Sequence, residues 1–531
     1  MIRVYEVRLP LDHGEGDVRA ALLRRLGLPA EELLSWRVAR RSVDARRKDR
    51  LQLVYILDAE VAAPEAVLAR AAPGKIEPAT EYRYAPPQPG KEPLSARPVV
   101  VGSGPAGLFA ALLLAEAGYR PLVLERGQPV AQRAADVAAL CDRGVFDPES
   151  NIVFGEGGAG TFSDGKLYTL IGDGRRHKVF AELAACGAPP EILVSAKPHI
   201  GTDNLRRVVP ALRARILAAG GEVRFGGRVS DLAVEAGRVR GVVIDSEGAL
   251  PAGAVVLAAG HSARDTFAML HARGVALAPK PFSLGVRIEH LQEKVDRAQY
   301  GPAAGHPRLG AAEYKLVHHG PEGRSVYTFC MCPGGEVVPA ASESDGVVTN
   351  GMSRFARDGR NANSALLVGV HPADFGGADP LAGLDFQRRW ERAAFARGGG
   401  GHAAPVQRLG DFLAGRPTER LGAVLPTYRP GCRPGDLSDC LPQFAVRALR
   451  TALPALGRKL HGFADPDAVL TGVETRSSSP VRVLRDERGE SSLGGLYPAG
   501  EGAGYAGGIV SAAVDGLRAA ESVIRRFAPP R

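Results

Sequence analysis

Cysteine is scarce in this sequence, with six in 531 residues. So few cysteines exclude a disulfide framework, and the opening residues MIRVYEVRLPLD lack the basic segment and apolar run of a signal peptide. We therefore expect free thiols and a reducing, cytoplasmic setting. Cys330 and Cys332 are one residue apart, but no second Cys or His pair stands at a spacing that would complete a metal site, so we expect no bound metal.

A run of apolar residues suited to a membrane helix is also missing. Residues 99–118 (VVVGSGPAGLFAALLLAEAG) come nearest, but three early glycines and Pro105 indicate a strand, a turn and a helix. The net charge of +9 is modest for this length and favours an anionic ligand only weakly. We expect a globular enzyme with neither a membrane nor a nucleic acid among its partners.

Residues 1–84 predict a small α+β module: a strand, a helix, and a hairpin whose tip, RRSVDARRKDR, is strongly basic. The tip has two interpretations, a solvated hairpin end or a docking patch for RNA or an acidic partner. The near-neutral charge of the whole module favours the first. A Pro-rich linker follows at 85–96.

Three glycines after this linker stand in a pattern that binds dinucleotides. Gly102, Gly104 and Gly107 follow an apolar strand (99–101) and precede an apolar helix (108–116). The first glycine permits a tight turn, the second lets the backbone approach a pyrophosphate, and the third lets the helix pack on the sheet. The free N–H groups of the helix N-terminus favour the negative charge of the pyrophosphate.

A second predicted strand, 121–124, ends at Glu125. A carboxylate there can accept hydrogen bonds from an adenosine ribose and would repel a 2′-phosphate, which disfavours NADP. A structural turn without a ligand is the alternative. Because strand, turn, helix, strand and acid follow one another in order, we favour a dinucleotide site, and the single unit gives no reason to expect a second, NAD(P)-binding domain.

Two later segments resemble glutathione-reductase-like flavoproteins. In 495–526 a short strand ends at Gly500-Glu501, where those proteins have an aspartate that binds the flavin ribityl chain; a helix beginning near Gly508 follows. In 220–261 a three-stranded meander precedes a strand that ends at Ala259-Gly260. The resemblance implies FAD, with the positive end of the last helix at the flavin and an adenine contact near Val229.

Nearly the whole chain resembles a narrower group, the bacterial FAD-dependent dehydrogenases that carry a small N-terminal appendage. The segments that carry this resemblance are NIVFGEGGAGTFSDGKLYT (151–169), AAGHSARDTFAML (258–270), KPFSLGVRIEH (280–290), YTFCMCPGGEVVPAASE (327–343) and GVETRSSSPVRVLRD (472–486). The resemblance implies FAD binding and no particular substrate.

The predicted fold class is α/β: a discontinuous Rossmann-type FAD-binding domain (97–270 and 470–531), a β-rich mixed α+β substrate or cap domain (271–469), and the small N-terminal α+β domain. The predicted FAD contacts are Gly102, Gly104, Pro105, Ala106, Gly107, Glu125, Arg126, Gly157, Gly158, Val229, Ala259, Gly260, Gly500, Glu501, Gly507, Gly508 and Ile509.

Candidate catalytic residues lie near the predicted flavin. His261, directly after a strand end, could exchange a proton with the substrate. The alternative, which the sequence favours, is a histidine held by the backbone before a helix that Ser262 or Asp265 caps. Lys166 could lie near flavin N1 or be an ordinary ion-paired lysine. Arg287 and Arg476, the latter next to Ser477, could clamp an anionic substrate or pair with carboxylates. Cys330 and Cys332 could be packed strand residues, a wall of the site, or a redox dithiol, and packing is favoured.

The sequence therefore predicts an FAD-dependent oxidoreductase that transfers a hydride between a small-molecule substrate and flavin N5. An external electron donor or acceptor would complete the cycle. The alternative is an FAD-containing binding protein whose basic N-terminal module docks RNA or a protein partner.

Overall fold

The computed structural model describes residues 1–245, 247–321 and 323–530. Its strands are β1 Ile2–Pro10, β2 Leu33–Asp44, β3 Gln52–Val61, β4 Ile76–Pro78, β5 Val99–Val101, β6 Leu122–Leu124, β7 Glu222–Arg224, β8 Val229–Glu235, β9 Arg238–Ile244, β10 Gly248–Pro251, β11 Val255–Leu257, β12 Leu277–Pro279, β13 Phe282–Leu291, β14 Val317–His319, β15 Ser325–Cys332, β16 Gly335–Pro339, β17 Thr349–Ser353, β18 Asn361–Val370, β19 Ala404–Arg408, β20 Cys432–Pro434, β21 Val469–Glu474, β22 Val481–Val483 and β23 Leu496–Pro498.

The α-helices are α1 Glu15–Leu26, α2 Pro64–Arg70, α3 Pro105–Glu116, α4 Val130–Arg143, α5 Arg176–Ala185, α6 Thr202–Ala218, α7 Arg264–Ala272, α8 Gln292–Tyr300, α9 Ala382–Gly398, α10 Leu409–Ala414, α11 Gln443–Lys459 and α12 Ile509–Arg526. Within the described residues, no helix is long and apolar enough to cross a membrane.

The N-terminal region forms a four-stranded antiparallel sheet in the order β2-β3-β1-β4. Helices α1 and α2 add Val18, Leu22, Leu26 and Val67 to its apolar core. Helix α1 ends at Gly27, where φ is +63°, a left-handed conformation that glycine adopts without a steric penalty. The predicted strand, helix and hairpin are confirmed.

Five short strands form a parallel sheet in the order β23-β11-β5-β6-β7. Strand β23 comes from the C-terminal segment and pairs with β11, so this sheet joins chain segments that are far apart in sequence. The residues of β5, β6 and β11 are all buried, as is usual where helices cover both faces of a parallel sheet. The predicted Rossmann-like arrangement is confirmed.

Helix α3 is apolar around its whole circumference and is buried from Ala106 to Ala115. Helix α12 can lie against it because residue 516 is glycine: a side-chain carbon there would be 2.0 Å from the carbonyl oxygen of Ala106. The first turn of α3 therefore contacts the middle of α12, and this contact ties the C-terminal helix to the glycine turn.

The predicted meander is present as β8, β9 and β10, an antiparallel sheet in the order β10-β9-β8. Its turns contain Gly237 and Gly248, with φ of +72° and +83°. The chain then returns to the parallel sheet as β11, between β5 and β23.

A seven-stranded sheet dominates 271–469, in the order β14-β15-β18-β13-β21-β19-β20. Alternate residues of β13, Leu284, Val286 and Ile288, point into an apolar core shared with helix α11. The two-stranded ribbon β16–β17 is separate from this sheet. This β-rich region agrees with the predicted mixed α+β character of the segment.

His290 is a buried base in this core, and its Nε2 donates a hydrogen bond to the carbonyl oxygen of Phe463 at 2.8 Å. Burial lowers the pKa of His290 from 6.5 to about 4. In the unfolded chain, His290 is therefore protonated below about pH 6.5, whereas in the folded protein it stays neutral down to about pH 4. The stability that neutral His290 contributes is present above pH 6.5 and is lost as the pH falls towards 4.

We expect the protonation of His290 alone to lower the free energy of unfolding by about 3 kcal/mol between pH 7 and pH 4. The variant His290→Asn should be less stable than the wild type at pH 7, and the gap should shrink by about that amount at pH 4. Urea unfolding at both pH values measures it, with the exposed His461→Asn as the control. A gap that is the same at both pH values would contradict the assignment.

Candidate functional site

A pocket opens at the carboxyl ends of the parallel strands, where ligands bind in doubly wound folds. It brings together most of the residues predicted to contact FAD. Its lining includes Gly102, Gly104, Pro105, Ala106, Glu125, Arg126, Gly158, Val229, Ala259, Gly260, His261, Gly500, Glu501, Gly508 and Ile509. Three further predicted contacts lie outside the lining: Gly107, Gly157 and Gly507. Gly107 and Gly157 pack against neighbouring backbone and side chains, as described below.

The glycine turn after β5 adopts the geometry that its sequence predicts. Gly102 has φ of +97°, and a side-chain carbon there would lie 2.4 Å from the carbonyl oxygen of Ala258. Gly107 faces the turn, and a side-chain carbon would lie 1.9 Å from the carbonyl oxygen of Gly102. Gly104 is different: the nearest protein atom would be 4.0 Å away, in Gly158. Space beside Gly104 is therefore left for a ligand.

Glu125 holds the surrounding turns together. One carboxylate oxygen accepts hydrogen bonds from the backbone N–H (2.9 Å) and hydroxyl (2.6 Å) of Ser103, and the other from the N–H groups of Gly127 and Gly155, both at 3.0 Å. The sequence predicted a contact with a ribose. The structure places Glu125 in the lining and adds this second role, that of a buried acceptor that joins three loops.

The loop 151–158 forms one wall of the pocket and is fixed from behind by Arg133 of α4. The buried guanidinium donates to five backbone carbonyls, those of Asn151, Ile152, Gly155, Glu156 and Gly158, at 2.6–3.2 Å. Burial lowers the pKa of Arg133 to about 10. In the same loop Gly157 has φ of +81° and would clash with Thr161 if it carried a side chain, so it shapes the loop from within.

Glu501 and His261 form a pair at the other end of the pocket. His261 Nδ1 lies 3.2 Å from a carboxylate oxygen of Glu501, and the other oxygen accepts from the N–H of Gly508 at the start of α12. Burial raises the pKa of Glu501, but His261 and the Gly508 N–H outweigh it, so that pKa lies below its ordinary value. Glu501 is therefore a carboxylate at neutral pH and orients His261. Gly507 lies beside this pair, outside the lining, and donates to Ser511.

Arg126 lines the pocket and is held by two carboxylates, Glu149 at 2.6 Å and Asp265 at 2.7 Å. Burial lowers the pKa of Arg126, but the two carboxylates raise it by more than burial lowers it, so the pKa lies above its ordinary value. Its guanidinium lies 4.3 Å from the ring centroid of Phe154. The guanidinium is therefore fixed at one end of the pocket, with its charge balanced by these two carboxylates.

The pocket has the donors and the space that FAD needs. The hydroxyl of Ser262 is buried in the lining and has no protein hydrogen-bond partner among the described residues, so it is free to bind a ligand oxygen. The N-termini of α3 and α12 both reach the pocket, and Gly104 and Gly158 leave the backbone open to a pyrophosphate. Glu501 and Val229 would contact the ribityl chain and the adenine.

Lys166, Cys330, Cys332 and Arg287 lie outside this pocket and form a cluster of their own. Lys166 pairs with Asp164 at 3.1 Å, and its Nζ is 3.7 Å from the sulfur of Cys332. Of the two alternatives for Lys166, the structure shows the ion-paired lysine, whose ammonium group is directed at Asp164 and a thiol.

The two arginines predicted to clamp a substrate are structural. Arg287 is fully buried and pairs with Glu474 at 2.8 Å. Arg476 is buried against Glu391 at 2.7 Å. The neighbouring Ser477 donates to the carbonyl oxygen of Ser283. The charges of both arginines and the donor of Ser477 are satisfied inside the protein, so the structure shows the ion-paired alternative for Arg287 and Arg476.

Sequence reasoning missed Arg133, Ser103 and Ser262. Ser262 follows His261 directly after a strand end, and this position was the available signal. Ser103 sits inside the glycine motif, at one of its variable positions. Arg133 offered no local signal, since its acceptors are backbone carbonyls 18 to 25 residues further along the chain.

Family comparisons agree with this site. A model described as "FAD-dependent protein, C-terminal domain-like" matches residues 281–477, an "FAD dependent oxidoreductase" model matches 197–317, and an "NAD(P)-binding Rossmann-like domain" model matches 100–160. A domain of unknown function matches residues 1–62.

Similar proteins include an uncharacterized protein of Clostridium beijerinckii, 44% identical over 100% of both chains. Among solved structures, NikD, titled an unusual amino acid oxidase essential for nikkomycin biosynthesis, is 17% identical and covers 80% of this chain and 93% of its own, with a TM-score of 0.32. The glycerol-3-phosphate dehydrogenase from Bacillus halodurans complexed with FAD is 13% identical and covers 81% and 64%, also with a TM-score of 0.32. The full-length relative and the matching family models show that the chain belongs to the FAD-dependent oxidoreductase family, with FAD as its cofactor.

Proposed function

We propose that this protein is a glutathione-reductase-like dehydrogenase that exchanges a hydride with a small-molecule substrate, and that it belongs to the group with a small N-terminal appendage. FAD, when bound, supplies the hydride acceptor or donor at its N5. The observation that carries the proposal is the Glu501–His261 pair at the end of a dinucleotide pocket. All six cysteines are free, which supports a reducing, cytoplasmic setting.

In this proposal the chain's own residues have separate tasks. Ser262 and the N-terminus of α3 bind the pyrophosphate, and the N-terminus of α12 stabilises negative charge at the flavin. His261 moves the proton that accompanies the hydride, through Nε2, while Glu501 holds Nδ1. The carboxylate fixes the tautomer and stabilises the imidazolium that forms when His261 takes a proton.

Flavin reduction under anaerobic conditions tests the proposal. The FAD-loaded protein would be mixed in a stopped-flow instrument with NADH, NADPH and panels of amino acids and hydroxy acids, and then re-oxidised with oxygen or quinones. Reduction by at least one of these compounds is the expected result. A flavin that none of them reduces, together with salt-dependent RNA binding that is lost when Arg46, Arg47 and Lys48 are neutralised, would instead support a binding protein.

We expect His261→Gln to slow flavin reduction about 100-fold and Glu501→Gln about tenfold, since a positioned acid–base group contributes on the order of 100-fold or more. His261→Gln should keep its FAD, so that the slower rate reports the reaction step and not cofactor loss. The exposed His461→Gln is the matched control. An unchanged rate in His261→Gln would contradict the assigned proton transfer.

A further inference from the structure

The seven-stranded sheet has a polar face opposite its apolar core. Residues of β13 and β18 alternate between the two faces of the sheet. The buried charged and amide side chains of the polar face are those of Arg287, Glu289, Asn361 and Asn363. We use "polar face" for these four residues and the cysteines beside them. The ribbon strand β17 covers Arg287, and it can do so because Gly351 has no side chain: a carbon there would lie 2.4 Å from the Arg287 guanidinium.

Cys330 and Cys332 belong to this polar face, at the end of β15. Met331 between them lies in the apolar core, whereas Cys332 Sγ is 3.7 Å from the guanidinium of Arg287. Lys166 approaches the same sulfur to 3.7 Å. Two cationic side chains therefore contact one buried thiol, and each of them is also paired with a carboxylate, Lys166 with Asp164 and Arg287 with Glu474.

The backbone at Cys330 is unusual. Its φ is +42°, a left-handed conformation that is uncommon for residues other than glycine, and the register of β15 against β18 shifts between Phe329 and Cys332. Arg287 holds this bulge by donating to the Cys330 carbonyl at 2.6 Å. Strained backbone of this kind persists where the surroundings fix it, often at functional sites.

The spacing of the two cysteines is within the range of a disulfide. In a regular strand, residues two apart are separated by about 6.6 Å, below the upper limit of about 6.8 Å for bridged cysteines. In this bulged strand the sulfur of Cys332 turns back to 3.3 Å from the carbonyl oxygen of Cys330. Cys330 is exposed, so an external sulfur can reach it, whereas Cys332 is buried.

We propose that Cys330 and Cys332 form a second redox centre, a dithiol–disulfide couple that exchanges with low-molecular-weight thiols and their disulfides. In the oxidised form an external thiolate attacks Cys330 Sγ, a mixed disulfide forms, the Cys330–Cys332 bond breaks, and Cys332 leaves as a thiolate beside Lys166 and Arg287. A second external thiolate then attacks the external sulfur of the mixed disulfide and releases Cys330.

The two steps together balance in atoms and electrons. The protein disulfide gains two electrons and two protons, and two external thiols become one disulfide. The reverse steps oxidise the protein. A released Cys330 is exposed and takes up a proton from the solvent. In the reverse direction, attack by Cys330 should accelerate about tenfold per pH unit in the neutral range.

The cation beside Cys332 stays charged. Burial lowers the pKa of Lys166, but the charges of Cys332 and Asp164 raise it, and the net shift is upward. The small ring of a Cys-X-Cys bridge makes such a disulfide readily reducible, which suits exchange and not permanent cross-linking. This second centre goes beyond hydride transfer and does not depend on the identity of the flavin substrate.

Thiol counting on the FAD-loaded protein tests the couple. The reduced protein has six thiols. After incubation with glutathione disulfide and removal of the reagent, titration in denaturant should find four, with no bound glutathione by mass spectrometry. A count that stays at six, or a disulfide that joins two chains on a non-reducing gel, would overturn the proposal.

Single substitutions separate the role of Cys330, which reacts with the external sulfur, from the role of Cys332, which closes the disulfide. Cys332→Ser should stop at a mixed disulfide with one glutathione on Cys330, and Cys330→Ser should lose no thiol. Lys166→Met should release the second glutathione about tenfold more slowly, because Cys332, whose thiolate attacks the mixed disulfide, loses its neighbouring cation. Cys432→Ser, at a partly exposed cysteine elsewhere, is the control and should still lose two thiols. Loss of two thiols in Cys330→Ser would also overturn the proposal, whatever the flavin does.

Discussion

Replacing Gly104 with valine is expected to prevent FAD binding while the protein still folds. The backbone at Gly104 is extended, with φ of −68° and ψ of −179°, which a β-branched residue adopts readily. A side-chain carbon would meet its nearest protein atom, in Gly158, only at 4.0 Å. The added methyl groups would instead enter the space beside the N-terminus of α3, where the pyrophosphate lies. We expect affinity for FAD to fall at least about 100-fold, or ~3 kcal/mol.

Two further glycines make this test specific. Gly172→Val, at an exposed glycine with open space around it, should keep full FAD occupancy. Gly107→Val should lose both FAD and folding, because its side chain would overlap the carbonyl oxygen of Gly102 at 1.9 Å. Circular dichroism reports folding, and flavin absorbance and calorimetry report binding. Gly104→Val with wild-type affinity would show that the pyrophosphate does not approach this turn.

The glycine turn could be predicted from sequence because its geometry is local. Gly102, Gly104 and Gly107 lie within six residues, and the positive φ of Gly102 and the approach of Gly107 to the Gly102 carbonyl are local. The same holds for the meander turns at Gly237 and Gly248. The approach of Gly102 to Ala258 is not local and was not predicted. Where the constraint acts over a few residues of backbone, residue type and spacing were sufficient.

The arginines show which alternatives the sequence could not decide between. An arginine that clamps a substrate and one that neutralises a buried carboxylate look the same in sequence. Arg287 meets Glu474, 187 residues away, and Arg476 meets Glu391, 85 residues away. Such pairing is set by how strands and helices pack, which local patterns do not encode. A charged residue within the apolar strand FSLGVRIEHL did require a partner, but the sequence could not say whether that partner was a ligand.

The environment of Cys330 and Cys332 could be predicted in part, unlike that of the arginines, but less fully than the glycine turn. Its alternation with Met331 was readable as a strand, and the strand is present as β15. The bulge at Cys330 and the approach of Lys166 from a loop 166 residues away were not readable. The choice between a packing role and a redox role therefore needed the three-dimensional arrangement, which places both cysteines with cations on one polar face.

Replacing Arg133 with methionine is expected to have the largest effect of any single charge removal near the pocket. Five carbonyl groups of the loop 151–158 would lose their shared donor inside the protein. The loop also supports α4 in return, since Glu156 accepts from the N–H of Val130 at the start of that helix. We expect the free energy of unfolding to fall by about 4 kcal/mol, because each unsatisfied buried acceptor costs about 1 kcal/mol or more.

FAD binding should weaken in the same variant, because the loop carries Gly158 and Phe154 into the pocket lining. Arg143→Met, at the exposed end of the same helix, is the matched control and should change neither property by more than about 0.5 kcal/mol. Arg133→Lys distinguishes charge from geometry: an ammonium group keeps the charge but offers three donors where the guanidinium offers five, so it should recover less than half of the loss. Guanidinium chloride unfolding and flavin titration measure the two effects. Full recovery by lysine would show that the positive charge, and not the fork of donors, holds the loop.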